Sequence, residues 1–178
     1  MSAAARRAVF LDRDGVLNRT EVRGNLPFAP RRLEHFAILP GVPEAVARLH
    51  AAGYLMIVTT NQPDLARGEL SPEILGAMHD RLRRAMPLDD ILVCPHVDAD
   101  DCSCRKPKPG MLLEASRKFG IDLAGSHMVG DRWRDVAAGR AAGCRTWLVD
   151  YGYADSDRAE PDHRVGSLAE MARTLLKA

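Results

Sequence analysis

The segment Phe10-Leu11-Asp12-Arg13-Asp14-Gly15 joins an apolar run to two carboxylates that lie two residues apart. The run itself, Ala8–Leu11, predicts a short buried strand. If the chain turns after this strand, as Gly15 permits, both carboxylates can face one site. One could then act as a nucleophile, the second could transfer a proton, and both could hold a hard cation such as Mg²⁺. Taken alone, the pair could equally be an acidic turn without chemistry.

Apolar runs alternate with helical patterns along the rest of the chain, which is typical of an α/β fold with a parallel sheet flanked by helices. We predict strands at residues 8–11, 55–59, 91–94, 127–129 and 146–149, and helices at about 43–52, 71–84, 111–119, 133–142 and from 167 onward. The stretches 18–37 and 95–109 look irregular. We expect one domain over residues 1–178, with its ligand site at the carboxyl ends of the strands.

Composition and charge exclude several classes of protein. The chain has 178 residues, of which 46% are hydrophobic and 28% charged, and its formal net charge is +1. These values are ordinary for a globular protein and give no electrostatic case for a nucleic-acid or membrane partner. No apolar run approaches the ~20 residues that span a bilayer, and the run after Arg7 is too short for a secretion signal. We therefore expect a cytoplasmic protein, and a monomer because nothing demands a protein partner.

Other polar groups follow later predicted strands. Thr59-Thr60-Asn61-Gln62 offers hydroxyl and backbone donors that could cradle a phosphate, and Gly130-Asp131 with Asp135 adds two acids. Arg105 and Lys106 could neutralise a bound anion, although a charged surface loop would look similar. Because parallel strands end at one edge of the sheet, we expect these groups to converge.

Four segments in order resemble the motifs of the haloacid dehalogenase (HAD) superfamily: residues 10–15, Val58-Thr-Thr-Asn-Gln62, Cys104-Arg-Lys-Pro107, and Gly130-Asp131 with Asp135. The resemblance extends over residues 8–151. It implies a Rossmann-like HAD fold and a Mg²⁺-dependent phosphomonoester hydrolase that forms an aspartyl-phosphate. A haloacid dehalogenase proper would need neither a second acid nor Mg²⁺, so Asp14 argues against that alternative.

The resemblance also implies roles for individual residues. Asp12 matches the nucleophile, and Asp14 matches the general acid and base. Both would also contact Mg²⁺, Asp14 through its backbone carbonyl, together with the metal-binding acid Asp131. Thr60 and Lys106 match the hydroxyl and the cation that hold the transferring phosphoryl group.

Three more residues match substrate-contacting positions: Asn61, Arg105 and Arg132. Asp135 matches an outer acid that contacts water or Lys106. Five further arginines could meet a second phosphate, although each alone is more typical of a solvated surface: Arg19, Arg23, Arg31, Arg32 and Arg67.

Cys94, His96, Cys102 and Cys104 supply three sulfurs and one imidazole within eleven residues. In a chain expected to be cytoplasmic, such crowding favours a metal over disulfides, and four ligands close a tetrahedral Zn²⁺ site. We predict a structural zinc that holds the loop carrying Arg105 and Lys106; the alternative is a coincidence of three thiols and a surface histidine. The fourth cysteine, Cys144, is predicted to be a buried small hydrophobe.

The zinc loop and the absence of a long insert resemble the capless branch containing the D-glycero-D-manno-heptose 1,7-bisphosphate phosphatases and the histidinol-phosphate phosphatases. The run 104–113 and Ala66-Arg67-Gly68 favour hydrolysis of the heptose 7-phosphate. The short spacing from His96 to Cys102, and Pro63-Asp64 in place of Ser-Gly, leave histidinol phosphate or another sugar phosphate open. A non-catalytic zinc-binding module is disfavoured because the catalytic set is intact.

Overall fold

A computed structural model describes residues 5–177, which form a six-stranded parallel sheet with helices on both faces. The sheet order is β5-β4-β1-β6-β7-β8. Its strands are β1 (Ala8–Leu11), β4 (Leu55–Asn61), β5 (Asp90–Cys94), β6 (His127–Gly130), β7 (Arg145–Val149) and β8 (His163–Val165). The helices are α1 (Val42–Ala51), α2 (Pro72–Ala85), α3 (Gly110–Phe119), α4 (Trp133–Ala142) and α5 (Leu168–Lys177). The predicted α/β class and all five predicted helices are confirmed.

The central strand β1 is buried on both faces. Val9 and Leu11 belong to one apolar cluster, whereas Ala8 and Phe10 belong to a second. This division follows from the alternation of side chains along a strand. Parallel strands covered on both sides therefore appear in sequence as uninterrupted apolar runs, which is why β1 could be predicted from four residues.

Capping residues in the sequence set the ends of the helices. The Ser71 hydroxyl accepts a hydrogen bond from the Ile74 amide at 3.2 Å and caps α2, which then starts with Pro72. Gly120, with a φ of 66°, terminates α3. These caps fix the helix ends, so the loops between helices and strands emerge at defined places along the sheet edge.

Residues 18–37 are more regular than predicted. They contain an antiparallel hairpin of β2 (Glu21–Arg23) and β3 (Leu26–Phe28), followed by a helical turn at Leu33–His35. Gly24 and Asn25 at the tip both have positive φ, as a two-residue hairpin turn requires. The strands β2, β3 and β8 are each three residues long, too short for periodicity to reveal them.

The structure also bears on two further expectations, one about a cap domain over the sheet and one about membrane-spanning helices. Between β1 and α1 the chain adds only the hairpin and the helical turn, so the described residues contain no large cap domain, as predicted. Among residues 5–177, no helix combines the length and the apolar character that a bilayer-crossing segment needs.

Candidate active site

The predicted convergence of polar groups at one sheet edge is observed. Asp12 follows β1, and its amide donates to the carbonyl of Val129 in β6 at 2.9 Å. Asp131 follows β6 directly, and Asp135 lies in the first turn of α4. Strands β1 and β6 are neighbours in the sheet, so their ends carry Asp12 and Asp131 to the same place.

Asp12, Asp131 and Asp135 form what we call the carboxylate centre. Each contributes an oxygen within 4.8 Å of the other two, and all three side chains are buried. Lys106 is 2% exposed, and its Nζ donates to Asp12 Oδ1 at 2.9 Å and to Asp135 Oδ1 at 2.6 Å. A third bond, to the Thr59 carbonyl at 2.7 Å, completes the ammonium's donors.

The negative charge of the carboxylate centre exceeds the positive charge beside it. Burial and the nearby charge of Asp135 raise the pKa of Asp12 to about 7, although Lys106 opposes the shift. Burial and the charges of Asp12 and Asp135 raise the pKa of Asp131 well above its ordinary value. One lysine therefore does not compensate three buried acids.

The geometry around Asp131 also suits a metal ion. Its Oδ2 is buried without a hydrogen-bond partner in the described residues. Gly15 leaves the room for it, since a Cβ there would lie 2.1 Å from this oxygen. Carboxylate oxygens are the preferred ligands of Mg²⁺, so the donor set, the excess negative charge and the orphaned oxygen all fit a divalent cation.

Asp14 lies beside this centre in a different environment. Its carboxylate accepts hydrogen bonds from Arg13 Nη2 at 2.8 Å, Asn18 Nδ2 at 2.9 Å and Gln62 Nε2 at 2.8 Å. Burial raises the pKa of Asp14, but the charge of Arg13 and these hydrogen bonds outweigh burial and hold the pKa below its ordinary value. Their surroundings therefore favour the protonated form of Asp12 and the ionised form of Asp14.

Thr60 and Asn61 are the last two residues of β4, which extends two residues beyond its predicted end at Thr59. The Thr60 hydroxyl is buried and accepts from Gln62 Nε2 at 2.9 Å. Asn61 pairs twice with the main chain of Lys106: its Nδ2 donates to the carbonyl at 3.0 Å and its Oδ1 accepts from the amide at 3.1 Å. Asn61 thus holds Lys106 in place, and it also lines the cavity above the carboxylate centre.

A cavity of about 300 Å³ opens above the carboxylate centre. Its charged lining is balanced between five acidic and five basic side chains: Asp12, Asp14, Asp64, Asp131, Asp135, Arg67, Arg105, Lys106, Arg132 and Arg134. Pro27, Phe28 and Ala29 bring the β2–β3 hairpin to its wall. Among the five additional arginines considered from the sequence, Arg67 lines the cavity.

Both predicted substrate-binding arginines line the cavity, and each is held by an acid. Arg105 donates to Asp98 Oδ1 at 2.7 Å and to the His96 carbonyl at 3.2 Å. Arg132 donates to Asp155 from Nε at 3.2 Å. At the hairpin side, Asp64 pairs with Arg31 and Arg67, which accounts for the unexpected aspartate after Asn-Gln-Pro.

Cys94, His96, Cys102 and Cys104 form a second group, which we call the cysteine–histidine cluster. The three sulfurs lie 3.1, 3.5 and 3.6 Å apart, and His96 Nδ1 is 3.4 Å from Cys104 Sγ and 3.7 Å from Cys94 Sγ. A regular tetrahedron of sulfurs around Zn²⁺ has edges of about 3.8 Å. The cluster therefore has the composition and nearly the size of a closed metal site. Cys144, outside the cluster, is buried as predicted.

Sequence reasoning missed the residues that hold Asp14. Arg13 and Asn18 flank the predicted catalytic acid in the chain, and Gln62 ends the predicted phosphate-binding segment. Arg13 and Gln62 lie within the motifs and Asn18 lies outside them, and nothing in the spacing indicated that all three side chains turn towards one carboxylate.

Comparisons with known proteins bear on the fold and on the class of enzyme. A hydrolase-like family model, described as HAD-hyrolase-like, matches residues 103–171. The chain is 40% identical to D-glycero-beta-D-manno-heptose-1,7-bisphosphate 7-phosphatase of Bordetella bronchiseptica, with 96% of this chain and 98% of the relative covered. It is also 40% identical to the Pseudomonas aeruginosa protein of the same name, over 83% of each chain.

A solved structure gives the same result. The crystal structure of D,D-heptose 1,7-bisphosphate phosphatase from B. bronchiseptica, complexed with magnesium and phosphate, aligns with a TM-score of 0.84 and 36% identity. The alignment covers 96% of this chain and 98% of the other. The predicted HAD fold and phosphatase class are confirmed.

Proposed function

Because the chain belongs to the family of D-glycero-β-D-manno-heptose-1,7-bisphosphate 7-phosphatases, we propose that it hydrolyses the 7-phosphate of this sugar bisphosphate. The observation that carries the proposal is the carboxylate centre at the floor of a cavity with cationic walls. With five acidic and five basic lining residues, a bound dication gives the cavity a net charge of +2, which suits a phosphate dianion.

We assign the metal ligands as Asp12, Asp131 and the backbone carbonyl of Asp14. Mg²⁺ bound there would neutralise oxygen charge on the transferring phosphoryl group. The magnesium and phosphate in the B. bronchiseptica structure support this choice of ion. Asp135 is bonded to Lys106 and to the Arg132 amide, so it serves as the outer acid that orients both.

The first half of the reaction transfers the phosphoryl group to Asp12. A carboxylate oxygen of Asp12 forms a bond to phosphorus as the bond from phosphorus to the sugar's 7-oxygen breaks. Asp14 donates a proton to the departing oxygen. The Thr60 hydroxyl and Arg105 hold the phosphoryl oxygens, and the buried charge of Lys106 neutralises them, because charge neutralisation and positioning dominate the catalysis of phosphoryl transfer.

The second half releases phosphate. Water forms a bond to phosphorus, the bond to Asp12 breaks, and Asp14 takes the water's proton. Asp14 is prepared for this step because its pKa lies below the ordinary value in the free protein. For the first step it must carry a proton, which the approaching negative charge of the substrate phosphate favours.

We further propose that the cysteine–histidine cluster holds Zn²⁺. Its residues immediately precede Arg105 and Lys106, so a rigid loop would deliver both cations to the cavity. The loop also packs tightly on α3: a Cβ on Gly110 would lie 2.2 Å from the Ser103 carbonyl. Four protein ligands leave no open position, so this zinc would be structural.

The substrate is tested by ³¹P NMR of the products formed with Mg²⁺ from heptose 1,7-bisphosphate of each anomer, and from histidinol phosphate. We expect faster turnover of the β-bisphosphate, with the signal of the 1-phosphate retained. Loss of the 1-phosphate, or preferred hydrolysis of histidinol phosphate, would contradict the proposal.

A further inference from the structure

Arg13 is fully buried and does not line the cavity, although it lies between Asp12 and Asp14 in the chain. Burying a guanidinium is costly unless its donors are paired. Arg13 Nη2 donates to Asp14 Oδ1 at 2.8 Å, and Nε lies 3.2 Å from both oxygens of the same carboxylate. One side of the guanidinium is therefore devoted to Asp14.

The other side is held by α2. Nη1 of Arg13 lies 3.3 Å from His79 Nε2 and 3.8 Å from Met78 Sδ. The Phe36 ring lies 5.5 Å from the guanidinium carbon. His79 is 6% exposed, and burial, together with the charges of Arg13 and Arg83, lowers its pKa to about 4. The imidazole is thus neutral near pH 7, and its Nε2 can accept a hydrogen bond from Nη1.

We propose that His79 and Arg13 are positioning residues for Asp14: His79 fixes one end of the guanidinium, and the guanidinium fixes the carboxylate that exchanges protons with the substrate. The proposal rests on the role assigned above to Asp14. Neither residue touches the substrate, and the proton exchange with the substrate is made by Asp14 alone.

The physical reason is geometric. Asn18 and Gln62 each give Asp14 one hydrogen bond, whereas Arg13 is the partner that approaches both carboxylate oxygens. Without an acceptor at His79, the guanidinium could turn, and the carboxylate would spend less time where it can reach the leaving oxygen. Misplacement by about 1 Å can cost roughly 100-fold in rate.

The test compares leaving groups in single-turnover experiments with saturating Mg²⁺. An alkyl phosphate, the heptose bisphosphate, needs a proton on its leaving oxygen, whereas the nitrophenolate of p-nitrophenyl phosphate departs without one. For His79→Leu we expect leaving-group release from the alkyl substrate to slow by about 10- to 100-fold with unchanged KM. Release of nitrophenolate should stay within about twofold of wild type by the same reasoning.

Three variants complete the design. His79→Gln keeps an acceptor for Arg13 and should restore most of the rate on the alkyl substrate. His79→Met keeps bulk without a comparable acceptor and replaces the leucine variant if that one does not fold. His50→Leu makes the same change at an exposed histidine of α1 and should match wild type on both substrates.

Asp14→Asn separates the two hypotheses. If Asp14→Asn slows release from the alkyl phosphate and from p-nitrophenyl phosphate equally, the role assigned to Asp14 itself is wrong. If Asp14→Asn slows only the alkyl phosphate but the His79 variants slow both substrates equally, or neither, the positioning proposal is overturned. Should the heptose bisphosphate not be turned over, the comparison uses whichever alkyl phosphate the wild type hydrolyses.

Discussion

The carboxylate centre and the cysteine–histidine cluster differ in burial, in charge balance and in the elements that supply their residues. Asp12, Asp131 and Asp135 come from two strand ends and a helix and are buried, and Lys106 pairs with Asp12 and Asp135. The cluster lies within eleven consecutive residues, and three of its four side chains are partly accessible.

This difference agrees with the roles proposed for the two regions, catalysis for the carboxylate centre and structural support for the cluster. The cluster has four soft donors in a closed arrangement, so a bound Zn²⁺ would have no position left for substrate. The carboxylate centre has an oxygen without a partner among residues 5–177, an excess of negative charge and an open cavity above it. Arg105 and Lys106 connect the two regions, because the chain passes from the last ligand of the cluster directly into the cavity.

The largest effect should come from removing the proposed nucleophile, Asp12. Asp12→Asn keeps the size of the side chain and its bond to Lys106 but provides no anionic oxygen to attack phosphorus. We expect kcat to fall by about 10⁴-fold or more, the scale seen when an essential group of a catalytic unit is removed. The measurement is phosphate release at saturating substrate and Mg²⁺.

Asp80→Asn is the matched control, since it makes the same change at an exposed position of α2. It should retain wild-type turnover. Near-normal phosphate release by Asp12→Asn would mean that the carboxylate centre is not where the covalent step occurs, and the contrast between the two regions would disappear.

The second-largest effect should be a loss of stability when a residue of the cysteine–histidine cluster is replaced. Cys104→Ser removes one sulfur from the tetrahedron. We expect it to release Zn²⁺ and to lower the free energy of unfolding on the order of 4 kcal/mol, as loss of a structural metal can do. For a chain of this length that corresponds to roughly 10 °C in Tm. Native mass spectrometry reports the metal, and calorimetry the Tm.

Cys144→Ser distinguishes loss of a ligand from loss of a buried thiol. Cys144 is buried outside the cluster, so its replacement should leave one Zn²⁺ bound per chain and cost less stability. If the Cys104 variant kept both its metal and its Tm, the cluster would not be a zinc site.

The two regions also differ in how far the sequence predicted them. The four ligands of the cluster are close in the chain, so spacing alone indicated their grouping. The carboxylate centre could be predicted because buried parallel strands have a clear apolar signature and end at one edge. The partners of Asp14 could not be predicted: whether Arg13 turns into the core or towards solvent depends on Met78 and His79 of α2, which sequence periodicity does not relate to it. The hairpin β2–β3 and strand β8 were missed because three residues carry no usable period.

The smallest effect tests the charge imbalance of the carboxylate centre. The pKa of Asp12 rises from 3.8 to about 7 on folding without metal, and that of Asp131 also rises. The folded state then binds more protons than the unfolded state between those values. This contribution to stability is complete below pH 3.8 and is lost as the pH rises towards 7.

Magnesium competes with those protons, so the gain in Tm on adding Mg²⁺ should grow as the pH rises from 5 to 7.5. At tenfold excess over Kd the gain is about 1.4 kcal/mol, or roughly 3–6 °C for a chain of this length.

The quantity to compare is the difference in Tm between samples with and without Mg²⁺. Burial lowers the pKa values of His79 and His127 to about 4, so both histidines contribute stability that rises with pH in the same interval. Their effect is present in both samples and cancels. Gel filtration without chelator removes Mg²⁺ and would leave in place the Zn²⁺ proposed for the cysteine–histidine cluster. Asp131→Asn should abolish the gain, whereas a gain that is equal at pH 5 and 7.5 would show that Mg²⁺ binds somewhere other than these protonated acids.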